Sequence, residues 1–148
     1  MDTNVSSKNT NTNSTATYTV GQWYHFAVVR SSSTTTLYIN GASVITVAAD
    51  TTNYTGTYFG IGSIYGTSTT PINAYISNLR VVNGTAVYTA AFTPPASPLS
   101  AISNTSLLTC QSTSFVDNSG TNSTITTSGS PSIQRFNPFG GTTLPTPY

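Results

Sequence analysis

Residues 34–48, TTTLYINGASVITVA, set Asn40-Gly41 between two short runs in which apolar and polar side chains alternate. Asn and Gly both accept a positive φ at low cost. The pair therefore suits a type I′ turn, whose twist matches that of two antiparallel strands. A chain that reverses so tightly is expected to build with antiparallel sheet. The preceding run, WYHFAVVR at 23–30, is apolar on both alternating sets, the pattern of a central strand covered above and below. With a turn at Ser31–Ser33, residues 23–30, 34–40 and 42–48 are expected to form a three-stranded meander.

The rest of the chain offers further strands and no helix. ATYTV (16–20) reads as a strand before a Gly21-Gln22 turn, and AYISNLRVVNG (74–84) alternates cleanly. GTYFGIGSIYG (56–66) also alternates, with glycines that mark a bend or a close approach. SLLTCQS (106–112) is the last clear strand. The stretch TAVYTAAFTPPASP (85–98) is too rich in proline for more than one helical turn. Composition agrees: glutamate is absent, Lys8 is the only lysine, and Ser, Thr and Asn fill 64 of 148 positions. Nine Tyr, six Phe and one Trp nevertheless supply apolar area for a packed interior, which a disordered chain lacks. The fold class expected is all-β, an antiparallel two-sheet β-sandwich.

Charged residues make up 5% of the chain and the formal net charge is +1. Phosphate recognition needs clustered Lys and Arg, so nucleic acid is not expected as a partner. No apolar run is long enough to insert in a membrane, and the opening stretch lacks the apolar centre of a secretory signal. Cys110 is alone, so no disulfide framework is expected. Residues 1–15 read as a polar arm, 16–139 as one domain, and 140–148 as an extended tail.

The core is expected to draw on Trp23, His25, Phe26, Val28, Leu37, Ile39, Phe59, Ile61, Ile76, Leu79 and Leu108. His25, the only histidine, sits mid-strand among apolar neighbours and reads as a core residue, since catalysis would need an orienting carboxylate or a nucleophile beside it. Asp2, Asp50 and Asp117 are the only carboxylates and no two share a strand. A glycosidase needs two that flank one bond, so no enzyme activity is expected. Calcium would need several carboxylate oxygens, which Asp117-Asn118 and Asp50 supply poorly, and no metal or other cofactor is expected. Cys110 reads as a small apolar filler. Carbohydrate recognition, by contrast, uses aromatic faces with neutral donors and acceptors. Tyr54, Tyr58, Tyr65 and Tyr75 with Asn53, Asn73 and Asn78 are the candidates, on loops at the ends of the sandwich.

Two segments also carry a resemblance. GQWYHFAVVRSSSTTTLYINGASV (21–44) resembles the Trp-x-His strand and hairpin of laminin-G-like, concanavalin A-type jelly-roll domains, and NAYISNLRVVNGTAVYTAAFTPP (73–95) is similar to their late strand and reversal. With SLLTCQSTSFVDNSG and PSIQRFNPF downstream, the set looks like the version found in tail fibres and structural proteins of bacteriophages, marine and cyanobacterial ones in particular. The resemblance covers about residues 18–139. It implies a jelly roll on a virion surface that binds host polysaccharide, or a capsid decoration or fibre subunit with an architectural role. Family members carry more strands ahead of the Trp-x-His strand than this sequence offers. A trimmed sandwich, or strands supplied by another chain, is therefore implied, with other virion subunits or copies of this chain as partners. A trimer would suit either role.

Overall fold

The computed structural model describes residues 16–56, 59–63 and 71–140. Among these there are five strands, no helix and no cis peptide bond: β1 (Phe26–Ser31), β2 (Thr34–Ile39), β3 (Ala42–Val47), β4 (Leu79–Val82) and β5 (Thr105–Thr109). They form one sheet of order β1-β2-β3 and a second that pairs β4 with β5, all antiparallel. Two units result. One holds the described residues up to Thr52 with Gly84–Ala96, and the other holds Asn53–Asn83 and the chain from Ser97 onward.

In the first unit the meander forms as expected. Ser31 pairs with Thr34 across a two-residue turn in which Ser32 takes φ 54°. Asn40 and Gly41 have φ 50° and 82°, the sign pattern of a type I′ turn. Asn40 does more than turn the chain. Its Oδ1 accepts the His25 N–H at 2.9 Å while its own N–H donates to the His25 carbonyl at 2.8 Å. This clamp holds His25 just ahead of β1, so Trp23, Tyr24 and His25 lie outside the ladder.

Register assigns the two faces of the sheet. Phe26, Val28 and Arg30 stand opposite Ile39, Leu37 and Thr35, while Ala27, Val29 and Ser31 stand opposite Tyr38, Thr36 and Thr34. β2 is the central strand and is buried from Leu37 to Ile39. Among the described residues β1 lies at the margin of its sheet, against the expectation that residues 23–30 form a central strand. An edge strand has a neighbour on one side only. Phe26 and Val28 are 42% and 67% exposed rather than core. Trp23 and His25 are half-buried.

Other expected strands shorten or vanish for local reasons. Residues 16–20 form no strand: Tyr18 leans on Tyr24 and Phe26, with ring centroids 5.3 and 6.0 Å apart, and Thr19 N–H donates to the Tyr24 hydroxyl. The 74–84 strand is reduced to β4 because Asn78 adopts φ 56°, which an extended strand does not permit. Phe59 is 63% exposed and Ile76 40%, so neither belongs to the core, and residues 61–63 bend instead of extending. Leu37, Ile39 and Leu108 are buried as expected, and Ile61 and Leu79 are half-buried. Tyr58, Tyr65, the polar arm and residues 141–148 lie outside the described residues.

The second unit is held by β5. Leu108 and Thr109 are each 1% exposed, and the β4–β5 ladder runs from Leu79↔Thr109 to Val82↔Thr105. On its other side Leu108 is bonded by a loop: Asn118 N–H donates to the Leu108 carbonyl at 2.7 Å, and Leu108 N–H donates to Asp117 Oδ1 at 3.0 Å. A side chain and a turn thus satisfy the backbone that a third strand would otherwise pair.

Candidate functional site

On the Ala27/Val29/Ser31 face of the first sheet, residues from the Gly84–Ala96 segment pack against the strands. Tyr88 stacks on Phe92 with centroids 3.6 Å apart and planes 6° from parallel. Phe92 meets Tyr38 and His25 edge-on at 5.5 and 5.4 Å, and His25 meets Tyr88 at 6.1 Å. Phe92 is fixed by its N–H, which donates to the Gly41 carbonyl at 3.1 Å. His25 is therefore a member of an aromatic cluster.

Beside this cluster runs a groove of about 320 Å³. Its apolar surface comes from Val29, Tyr38 and Tyr88, and its polar surface from Ser31, Ser32, Thr34, Thr36 and Thr89. Strand alternation makes the set coherent: Val29 pairs with Thr36 and Ser31 with Thr34, so both pairs present their side chains to one face. None of the five hydroxyls is engaged by another described residue, and no charged residue is among the described residues that line the groove. The opposite alternation carries the engaged hydroxyl, Thr35 Oγ1, which donates to Asp50 Oδ2 at 2.7 Å.

The described residues among those singled out in the sequence occupy the other unit. Tyr54 and Tyr75 are 55% and 41% exposed, and Asn53 and Asn73 are exposed with them. Tyr75 has one edge against Phe136, 5.3 Å away. Asn78 is committed elsewhere: its Oδ1 accepts Leu99 N–H at 2.8 Å and its Nδ2 donates to Ser77 Oγ at 2.8 Å. It is a loop tie rather than a ligand contact. The groove is not visible in any one stretch of sequence, because Tyr88 and Thr89 come from a segment far along the chain. The legible part of its signal was the Ser31–Thr36 run, which places hydroxyls on both faces of the hairpin.

The two described aspartates do structural work. Asp117 accepts four bonds, from the N–H groups of Leu108, Ser119 and Ser123 and from the Ser119 hydroxyl, at 2.8–3.0 Å. Desolvation pushes its pKa up, but these four donors outweigh it and hold the carboxyl well below the usual carboxylate range. All four of these partners are donors, so the carboxylate lone pairs are taken up within its own loop and by β5. Asp50 is buried and accepts from Thr35 Oγ1 and from Thr52 N–H at 3.1 Å. Arg30 donates to the Thr52 carbonyl and Arg80 to the Ser100 carbonyl, so both guanidinium groups tie loops to strands. No cluster of three or more His, Cys, Asp or Glu occurs among the described residues.

Antiparallel sheets, with no helix among the described residues, define the class as all-β, of the β-sandwich kind. More particularly, the chain belongs to the concanavalin A-like lectin/glucanases superfamily, whose laminin-G family model matches residues 1–99. Comparison with curated proteins and with solved structures returns no match.

Proposed function

We propose that this protein binds neutral carbohydrate without cleaving it, as an attachment module of the bacteriophage tail-fibre type that meets host surface polysaccharide on the virion exterior. Its superfamily contains both lectins and glucanases, and the carboxylates favour the first. Asp50 and Asp117, both buried, spend their oxygens on backbone and hydroxyl donors, whereas acid and nucleophile in a glycosidase must face an open cleft. That observation carries the reading. Carbohydrate would be met by neutral hydroxyls and tyrosine faces, which the chain presents in quantity.

A second reading, a capsid decoration or fibre subunit with an architectural role, draws on β1. Among the described residues it has a strand neighbour on one side only, and Phe26 and Val28 stand exposed on it. Such edges are ordinarily covered by a neighbour.

An antibody raised against the chain separates the two readings. Attachment predicts that it labels the particle and blocks adsorption to host cells. Labelling without any block on adsorption favours architecture, and absence from the particle overturns both. A glycan array displaying the protein multivalently tests sugar binding itself, since avidity raises a weak single-site affinity to a readable signal. Silence across neutral polysaccharides would refute it.

A further inference from the structure

We propose that the groove between the β1–β2 hairpin and Tyr88 binds one neutral pyranose ring. This rests on the carbohydrate-binding reading above and supplies its site. Three features converge. The volume, about 320 Å³, is at the lower end for small-molecule sites and suits one ring rather than an extended oligosaccharide. Five hydroxyl-bearing residues line it, their hydroxyls unengaged by other described residues, while the Thr35 hydroxyl on the opposite alternation is bonded. Unengaged hydroxyls can each donate and accept, which matches the vicinal hydroxyls of a sugar.

The third feature is the aromatic wall. Tyr88 is backed by Phe92, and Phe92 is pinned between Tyr38, His25 and the Gly41 carbonyl. A ring held from behind costs little further entropy when a ligand packs on it. With no charged side chain among the described residues of the lining, an acidic sugar or a phosphate would forfeit its hydration without a counter-charge. The ligand class is therefore an uncharged hexose or pentose, free or as the terminal unit of a polysaccharide.

The test uses the whole chain with a panel of neutral methyl pyranosides, followed by NMR titration. Tyr88→Ala is unsuitable because it would dismantle the stack on Phe92. The Thr34→Val/Thr36→Val pair removes two hydroxyls while keeping shape and strand preference, and its thermal midpoint is checked first. We expect amide shifts confined to β1, β2 and the Tyr88–Thr89 turn. We also expect affinity to fall roughly tenfold or more in the double variant, from the loss of two neutral hydrogen bonds. The Tyr54→Ala/Tyr75→Ala pair should bind as the parent does. If the parent binds and the tyrosine pair abolishes binding while the valine pair does not, the groove is wrong and the carbohydrate reading survives. If no neutral pyranoside or polysaccharide binds the parent, both fall.

Discussion

Asp117 offers the sharpest energetic prediction. Replacing it with alanine removes the acceptor of four hydrogen bonds and leaves the N–H groups of Leu108 and Ser119 buried without it. A buried donor stripped of its acceptor costs about 1–3 kcal/mol. Asp117 is only 9% exposed, but it is sealed by its own loop rather than set deep among neighbours, so the lower half of that range applies. Two such donors give a loss of about 2–4 kcal/mol, a large share of the 5–15 kcal/mol typical of a folded domain. Asp117→Asn keeps one acceptor oxygen but turns an amide N–H₂ toward a site that receives the Ser123 N–H. Its cost should fall between alanine and wild type. The pH dependence follows from the depressed carboxyl pKa. The stabilisation is fully present above the unfolded value of about 4 and is lost as pH falls through the lower folded value. Urea unfolding at several pH values reads this directly. The gap between wild type and Asp117→Ala should hold steady from pH 8 to 5 and narrow only below about pH 4. An alanine variant within about 0.5 kcal/mol of wild type at pH 7, or a gap that closes between pH 7 and 5, would refute the reasoning.

Further expectations concern the turns, the lone thiol and the groove. Gly41→Ala would put a methyl group at φ 82° and drive it into the Phe92 carbonyl, so a loss of about 2 kcal/mol or more is expected in thermal or urea unfolding. Asn78→Ala removes the acceptor for Leu99 N–H and leaves a non-glycine residue at φ 56°. It should cost about 1–2 kcal/mol by the same assay, and Asn78→Gly less. Burial raises the Cys110 thiol above its ordinary pKa, with a smaller opposing effect from Thr109. A disulfide reagent at pH 8 should label the folded protein more slowly than the urea-unfolded chain, and equal rates would contradict this. Because the groove lining is uncharged, sugar affinity should be unchanged between low salt and 1 M salt, as calorimetry can show.

The parts of the fold that were legible in the sequence are those set by neighbours along the chain. Asn40-Gly41 fixes the β2–β3 turn, and the alternation in 34–48 fixes which side chains share a face. The burial of Leu37, Ile39 and Leu108 follows from the same patterns. What was hidden depends on residues distant in sequence or on backbone conformations that residue type signals weakly. WYHFAVVR has the pattern of a central strand, yet β1 pairs with β2 alone among the described residues and Phe26 and Val28 stand exposed. Ser32, Ala49 and Cys110 take positive φ although none of them advertises it. Phe59 and Ile76 lie beside bends, where period-two alternation no longer predicts burial. Of the sugar-site candidates, Tyr54, Tyr75, Asn53 and Asn73 are exposed, and Asn78 is a loop tie. The groove itself is assembled by pairing Val29 and Ser31 across from Thr36 and Thr34 and by bringing Tyr88 over them, and no single segment contains it.

The central claim is that the protein holds a neutral sugar and leaves it intact. It is tested most directly by titrating the whole chain with a neutral host surface polysaccharide in a calorimeter and then measuring the polymer's length and reducing ends after prolonged incubation. Saturable heat with an unchanged polymer is the predicted result. Release of new reducing ends, or no heat with any neutral polysaccharide of the host surface, would contradict it.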